Sequence, residues 1–347
     1  NRCLVGSEMC IRDSFMTSRF SILGAGSWGT VLANLLASNG NECLLYTRNQ
    51  KVFDSVSTKQ INEIYHPKRL IDKNVSITKN LEELKNYSDI WIIAIPSKKI
   101  PLVLCDVDKN SLRKKEFIIA SKGIDKSFST ISEVLEKQFK ILSNKIYVLS
   151  GPNLAREVFE GQTSASVLAG ENLNRVEQLS KYFNNQSFKV FISQDKKGVE
   201  LSGSLKNIYA ISAGLADGMG CKFNTKAMLL TRSLHEMSEL FKSLGANPET
   251  LLGLAGVGDL IATSSSSDSR NYSFGYYLGK GMDVDTSLKK VNQVVEGIGT
   301  LEMVFEKKNE LKLIMPIIDI LNRIVFKNEK AEDSFADILI EGDNIDS

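Results

Sequence analysis

Residues 19–37 read R-F-S-I-L-G-A-G-S-W-G-T-V-L-A-N-L-L-A. The short apolar run Phe20–Leu23 passes straight into Gly24-Ala25-Gly26-Ser27-Trp28-Gly29, and an apolar helical pattern opens directly behind it. A lone G-x-G-x-x-G is a weak signal, because glycines are common in turns. Strand, glycine turn and helix in this order form the fingerprint of a dinucleotide site. Gly24 allows the tight turn, Gly26 lets the backbone approach a pyrophosphate, and Gly29 permits close packing of helix on strand. The helix N-terminus supplies free N–H groups and a partial positive charge for the phosphates. The alternative is an ordinary strand-to-helix turn.

Working outward, the first half alternates between β-rich runs and helical patterns. Strands are expected at Arg19–Leu23, Glu42–Thr47, Val75–Thr78, Ile90–Ile95, Glu116–Ala120, Lys145–Leu149, Ser164–Ala169 and Phe188–Ile192. Several are unbroken apolar runs, such as I-W-I-I-A-I, which suits strands buried on both faces. Helical patterns intervene at Trp28–Ser38, Leu81–Lys85, Ser129–Phe139 and Leu173–Phe183. The alternation argues for a doubly wound, Rossmann-like α/β sheet. After about Asp195 only helical patterns remain: Gly198–Leu215, Thr225–Leu244, Tyr272–Leu278, Leu301–Lys308, Ile317–Phe326 and Asp333–Ile340. The expected fold is therefore an N-terminal α/β domain over residues 16–195 and an all-α C-terminal domain over 196–342, with 343–347 as a tail. No internal repeat is evident.

The 347 residues carry 43 Lys and Arg against 41 Asp and Glu. A net charge of +2 argues against a dedicated nucleic-acid binder and leaves room for a local basic pocket. No apolar run is long enough to span a bilayer. The opening stretch Cys3–Ser14 has no basic n-region, long apolar core or cleavage pattern, so it does not read as a signal peptide. It resembles a translated sequencing adapter, and residues 1–15 are expected to be a non-native leader before Met16; a genuine leader is the alternative. Cys3 and Cys10 leave with it. Cys43, Cys105 and Cys221 form no C-x-x-C pair and no metal spacing, and read as reduced thiols of a cytoplasmic protein.

The second strand bears on which dinucleotide binds. It runs into Thr47-Arg48-Asn49, with no acid at its tip to hold an NAD ribose. Arg48 there suits an adenosine 2′-phosphate, so NADP is favoured over NAD. An Arg that only stacks on adenine would accept either.

Four further segments set charged residues among small ones. Lys122, in Ala120-Ser121-Lys122-Gly123, ends a buried strand on the edge where such sheets bind ligands. Ser150-Gly151-Pro152-Asn153-Leu154-Ala155-Arg156-Glu157 is a second strand-to-helix turn, whose N–H groups near Gly151 and Asn153 could hold an anion. Lys206 lies in Leu201-Ser202-Gly203-Ser204-Leu205-Lys206-Asn207, inside the first long helix of the second half. Burial there would bring its ammonium towards working pH and fit it for general acid or base work. Gly256-Val257-Gly258-Asp259-Leu260 is followed by Thr263 and by Ser269-Arg270-Asn271, where a guanidinium and an amide make a good pair for phosphate. Ser264–Ser267 reads as a flexible loop, and Glu296 in Val294-Val295-Glu296-Gly297 reads by itself as a solvated carboxylate. The two histidines are weak candidates: His66 sits before Pro67 in an irregular stretch, and His235 reads as a packing or half-exposed helix residue. P-loop, HExxH and GxSxG motifs are missing.

The ordered set G-A-G-S-W-G-T, S-K-G, S-G-P-N-L-A-R-E, L-S-G-S-L-K-N, G-V-G-D-L, S-R-N and V-V-E-G resembles the bacterial-type NAD(P)-dependent glycerol-3-phosphate dehydrogenases, from about Phe20 to the C-terminal helices. The resemblance implies a Rossmann domain and a helical domain with the active site between them. It implies interconversion of dihydroxyacetone phosphate and sn-glycerol 3-phosphate, feeding phospholipid synthesis, with NADP or NAD as cofactor. It implies Lys206 as the lysine that protonates the carbonyl oxygen, with Lys122, Asn207, Asp259 and Thr263 around the reacting carbons. Gly151 and Asn153 would border the substrate, and Ser269, Arg270 and Asn271 its phosphate. Gly24, Gly26, Ser27, Trp28, Gly29, Arg48, Lys122, Ala155, Val295 and Glu296 would serve the dinucleotide, with Arg270 shared. A homodimer is compatible with the family. Leu154 stands where an aromatic is usual, Ser202 where Gly is usual, and Ser264 where Cys is frequent; these are small or apolar exchanges beside the site. The nearest rival is a hydroxy-acid or ketopantoate reductase with a lysine on its first long helix, for which a paired S-R-N and G-D-L phosphate site would have no use. A non-catalytic dinucleotide sensor is the rival from another class.

Overall fold

The computed structural model describes residues 17–125, 127–335 and 337. The expected leader 1–15, the tail 343–347 and the end of the Asp333–Ile340 helix lie outside these residues. Eight strands form one sheet: β1 Arg19–Leu23, β2 Glu42–Tyr46, β3 Val75–Thr78, β4 Ile90–Ile93, β5 Glu116–Ile119, β6 Ile146–Ser150, β7 Ser164–Ala169 and β8 Phe188–Ser193. Their spatial order is β3-β2-β1-β4-β5-β6-β7-β8. Every neighbouring pair is parallel except β6 and β7. The chain turns back after the short Ala155–Phe159 helix, so β7 returns antiparallel.

The sheet is covered on both faces. In β5 the side chains alternate: Ile118 packs into one apolar cluster with Val31 and Leu36, whereas Phe117 and Ile119 pack into the other with Leu104 and Leu135. That period of two is what an unbroken apolar run becomes when both faces are buried. The strand order reverses between β1 and β4, so a crevice opens at their C-terminal ends, where doubly wound sheets take ligands.

No strand follows β8 among the described residues. The Lys196–Gly218 helix is the axis of the second half and is buried along nearly its whole length. The Phe223–Leu244, Arg270–Gly279, Glu296–Leu311 and Pro316–Phe326 helices pack around one apolar cluster. Against the Arg270–Gly279 helix the approach is backbone to backbone. A Cβ on Gly214 would stand 2.0 Å from the Tyr272 carbonyl oxygen, and one on Gly275 would stand 2.0 Å from that of Ile211.

Two buried carboxylates serve helix N-termini: Glu200 adds to the Thr130–Glu133 capping box of the Ile131–Phe139 helix, and Glu236 stands in for the missing cap of the Pro316–Phe326 helix. Glu200 accepts the Ser132 N–H at 3.1 Å, and Glu236 accepts the Ile317 N–H at 2.7 Å and the Tyr209 hydroxyl at 3.1 Å. Burial pushes Glu200 up to about 7 and Glu236 up to about 8, although these hydrogen bonds pull the other way.

Several short helices have no counterpart in the sequence reading, among them Gln50–Lys59, Ile100–Leu104, Asp259–Ser264 and Val284–Val291. They are too short for a clear 3.6-residue period. Ser264 corrects the loop reading of the serine run: it ends the Asp259–Ser264 helix and is 3% exposed. His235 is exposed on its helix instead of packed.

Candidate active site

Two joined cavities run along the C-terminal edge of the sheet. The smaller, about 250 Å³, lies beside Gly24, Arg48, Asn49 and Lys99. The larger, about 600 Å³, runs from Ser27 and Trp28 across to Lys206, Arg270 and Glu296 of the helical half. Gly26, Tyr65 and Ala94–Pro96 line both.

The glycine turn is built as a cradle. Gly24 has φ +123°, and a Cβ there would meet the Ala94 carbonyl oxygen at 2.6 Å. A Cβ on Gly29 would stand 1.9 Å from the Gly24 oxygen, so the helix can begin this close to the turn only as glycine. A Cβ on Gly26 would meet nothing within 4 Å, because this position faces the cavity. Gly26 also leaves the Ser27–Ser38 helix without a side-chain cap. Free N–H groups, a bare Cα and a cavity fit a pyrophosphate.

The helical half places a buried lysine at the cleft. Lys206 is 5% exposed, and its Nζ donates to Asp259 Oδ1 and to Thr263 Oγ1. Lys122, at the end of β5, donates to the other oxygen of Asp259 at 2.6 Å. One buried carboxylate thus lies between two ammonium groups. Burial pushes the Lys206 ammonium below the usual lysine range; the Asp259 charge opposes this and the Lys122 charge adds to it. Asp259 opens its short helix after a π-helical turn, Leu254–Gly258, in which Gly256 presses on the Leu251 carbonyl.

Asn271 ties the start of the Arg270–Gly279 helix to the lysine helix. Its Nδ2 donates to Asn207 Oδ1 at 2.9 Å, and its Oδ1 accepts the Gly297 N–H at 2.9 Å, beside Glu296. Ser269 caps the Arg270–Gly279 helix by accepting the Tyr272 N–H, and exposed Arg270 follows at the cavity wall. Asn153 donates to Ser166 Oγ at 2.8 Å, and its buried Oδ1 has no partner among the described residues. Ser150 Oγ is unpartnered in the same wall.

Gly26, Ser27, Trp28, Lys122, Gly151, Asn153, Ala155, Lys206, Asn207, Thr263, Ser269, Arg270, Asn271 and Glu296 all face the larger cavity, and Gly24 and Arg48 the smaller. Asp259 stands behind the lysines, and Gly29 is a packing position. Val295 lines neither cavity. It is 6% exposed and packed in the helical core, because the helix beginning at Glu296 turns it inward. Sequence reasoning missed Tyr65, Lys99, Asp268 and Gln293 as lining residues. They sit in irregular segments or at helix starts, with no periodic or glycine signal.

Two family models, together spanning most of the chain, match: the NAD-dependent glycerol-3-phosphate dehydrogenase N-terminus over residues 19–176 and its C-terminus over 195–336. The chain belongs to the NAD-dependent glycerol-3-phosphate dehydrogenase family. Glycerol-3-phosphate dehydrogenase [NAD(P)+] of Staphylococcus saprophyticus is 39% identical over 94% of this chain and 98% of its own. That of Halothermothrix orenii is 37% identical over 94% and 96%. Among solved structures, glycerol-3-phosphate dehydrogenase from Coxiella burnetii superposes with a TM-score of 0.88 at 31% identity, covering 93% of this chain and 99% of the other. The residues on the sheet edge and those on the helices line a single cleft.

Proposed function

We propose that the protein interconverts dihydroxyacetone phosphate and sn-glycerol 3-phosphate with NADPH or NADH, through a dinucleotide-binding unit over 16–195 and a helical unit over 196–342. The observation that carries the reading is the Lys122–Asp259–Lys206 bridge at the floor of a cleft that also presents Arg270 and Asn271. The reduced nicotinamide, when bound, supplies a hydride to the carbonyl carbon. Lys206 gives its proton to the carbonyl oxygen, and its lowered pKa makes that transfer easier near neutral pH. Asp259 and Thr263 fix the ammonium in place, and Lys122 adds positive charge where the oxygen becomes negative. Arg270, with the Ser269–Asn271 turn, meets the phosphate and so holds the carbonyl at a set distance from Lys206. Gly24, Gly26, Ser27 and Arg48 would hold the dinucleotide, with Arg48 beside its adenosine end.

Oxidation of NADPH and of NADH by dihydroxyacetone phosphate tests this directly. The native chain should turn over, and Lys206→Ala should lose at least about 10²-fold in kcat. Near-normal turnover of that variant would sink the mechanism. We further infer a cytoplasmic enzyme feeding phospholipid synthesis; the free thiols Cys43, Cys105 and Cys221 support a reducing compartment. No helix among the described residues is long and apolar enough to cross a membrane. Exposed Phe191 and Ile192 on the edge strand β8 support a homodimer, which sedimentation would test.

A further inference from the structure

The segment between the Gln50–Lys59 helix and β3 contributes no reacting group, yet it grips the glycine turn from behind. Asn62 is fully buried, and its Nδ2 donates to the Ala25 carbonyl at 3.1 Å and to Thr30 Oγ1 at 2.9 Å. Thr30 Oγ1 in turn donates to the Gly26 carbonyl at 2.8 Å. His66 Nε2 lies 3.1 Å from the Ser27 carbonyl oxygen and 3.1 Å from Ser27 Oγ. Three successive carbonyls of the turn, those of Ala25, Gly26 and Ser27, are therefore each held by a side-chain donor.

The tautomer follows from the acceptor. A carbonyl oxygen can only accept, so Nε2 must carry the hydrogen. The Ser27 hydroxyl then cannot donate back to His66, and its own hydrogen is left for a ligand. His66 is 6% exposed and stands edge-on to Phe159 with ring centroids 4.7 Å apart. Phe159 ends the short helix that begins at Ala155, which lines the larger cavity. The imidazole thus ties the glycine turn to that helix. Its burial also lowers its pKa, which keeps the ring neutral at working pH.

We propose that His66 is a positioning residue for the dinucleotide: its Nε2–H holds Ser27 so that the Ser27 hydroxyl donates to the cofactor's pyrophosphate. The proposal rests on the dinucleotide reading of the cleft. It is tested by titrating the full chain, His66→Leu and His66→Gln with NADPH and NADH, using calorimetry and the fluorescence of Trp28 in the cavity wall. His66→Leu keeps an apolar body against Phe159 and loses the donor; its Kd should rise roughly three- to tenfold, the value of one hydrogen bond. His66→Gln keeps an N–H and should recover most of that loss. The cofactor KM should rise with Kd, while kcat and the KM for dihydroxyacetone phosphate change by less than about twofold. An unchanged Kd in folded His66→Leu, or an equal loss in both variants, overturns the proposal. A native chain that binds neither dinucleotide overturns it together with the reading of the cleft. One that binds them without reducing dihydroxyacetone phosphate sinks the substrate assignment and leaves the His66 proposal standing.

Discussion

Lys122 and Lys206 hold opposite oxygens of one buried carboxylate, that of Asp259. One lysine comes from the end of a strand in the sheet and the other from the central helix of the second half. The bridge is therefore also a joint between the two halves of the molecule.

Removing the shared carboxylate should hurt both stability and turnover. Asp259→Asn leaves two ammonium groups facing each other with no counter-charge. Breaking a buried ion pair from one side costs about 3–5 kcal/mol. Thermal unfolding should show the loss, and kcat should fall roughly 10²-fold or more as Lys206 loses its anchor. A variant with native Tm and native kcat would contradict the joint.

The pH dependence of turnover has a definite sign. On the proposed mechanism Lys206 must carry its proton in the reducing direction, and burial with the neighbouring Lys122 charge lowers its pKa. The rate should therefore fall as pH rises, well below the range in which an ordinary lysine titrates. Lys122→Met removes one of the lowering charges, so the alkaline limb should move to higher pH even though the overall rate drops. A limb that stays put would show that Lys206 is not the titrating group.

Stability should depend on pH through Glu200 and Glu236. Their folded pKa values, about 7 and about 8, lie above that of an unfolded glutamate. The folded state binds more protons, so this stability is fully present below the unfolded value and is lost as pH rises through 7 and 8. Urea unfolding at pH 5 and pH 9 should differ by a few kcal/mol from these groups. Glu236→Gln should flatten the difference, since it keeps an acceptor for Ile317 without a charge to bury.

Arg48 is expected to discriminate between the two cofactors. It is exposed beside the smaller cavity, opposite Lys99, with no acid at the strand tip to hold a bare ribose. Arg48→Ala should raise the KM for NADPH about tenfold and that for NADH less than twofold, consistent with the loss of a charge-assisted contact. Equal effects on both would leave Arg48 stacking on adenine alone.

The sheet was legible in the sequence because its central strands are buried on both faces and so read as apolar runs; all eight strands sit within a residue or two of their expected limits. The cleft lysine was legible because a charge inside an apolar, small-residue helix has few explanations. The Asp259 bridge was not, since its three members lie far apart in the chain and only the fold brings them together. Val294 and Val295 show another limit. Adjacent valines carry no mark of which one turns inward, and the structure leaves Val294 69% exposed while Val295 packs in the core. His66 and Asn62 escaped because they hold backbone carbonyls and hydroxyls more than thirty residues away, and such pairings have no signature in a sequence.

The glycine contacts between the Lys196–Gly218 and Arg270–Gly279 helices have a consequence for substrate choice. With Gly214 and Gly275 set against opposing carbonyls, no side-chain layer between the helices can compress or give. Lys206 on one helix and Arg270 on the other therefore stand on backbones whose separation is fixed. If the two act as proposed, the pair would move as a unit, and the site would gauge the span from carbonyl to phosphate as well as recognise each end.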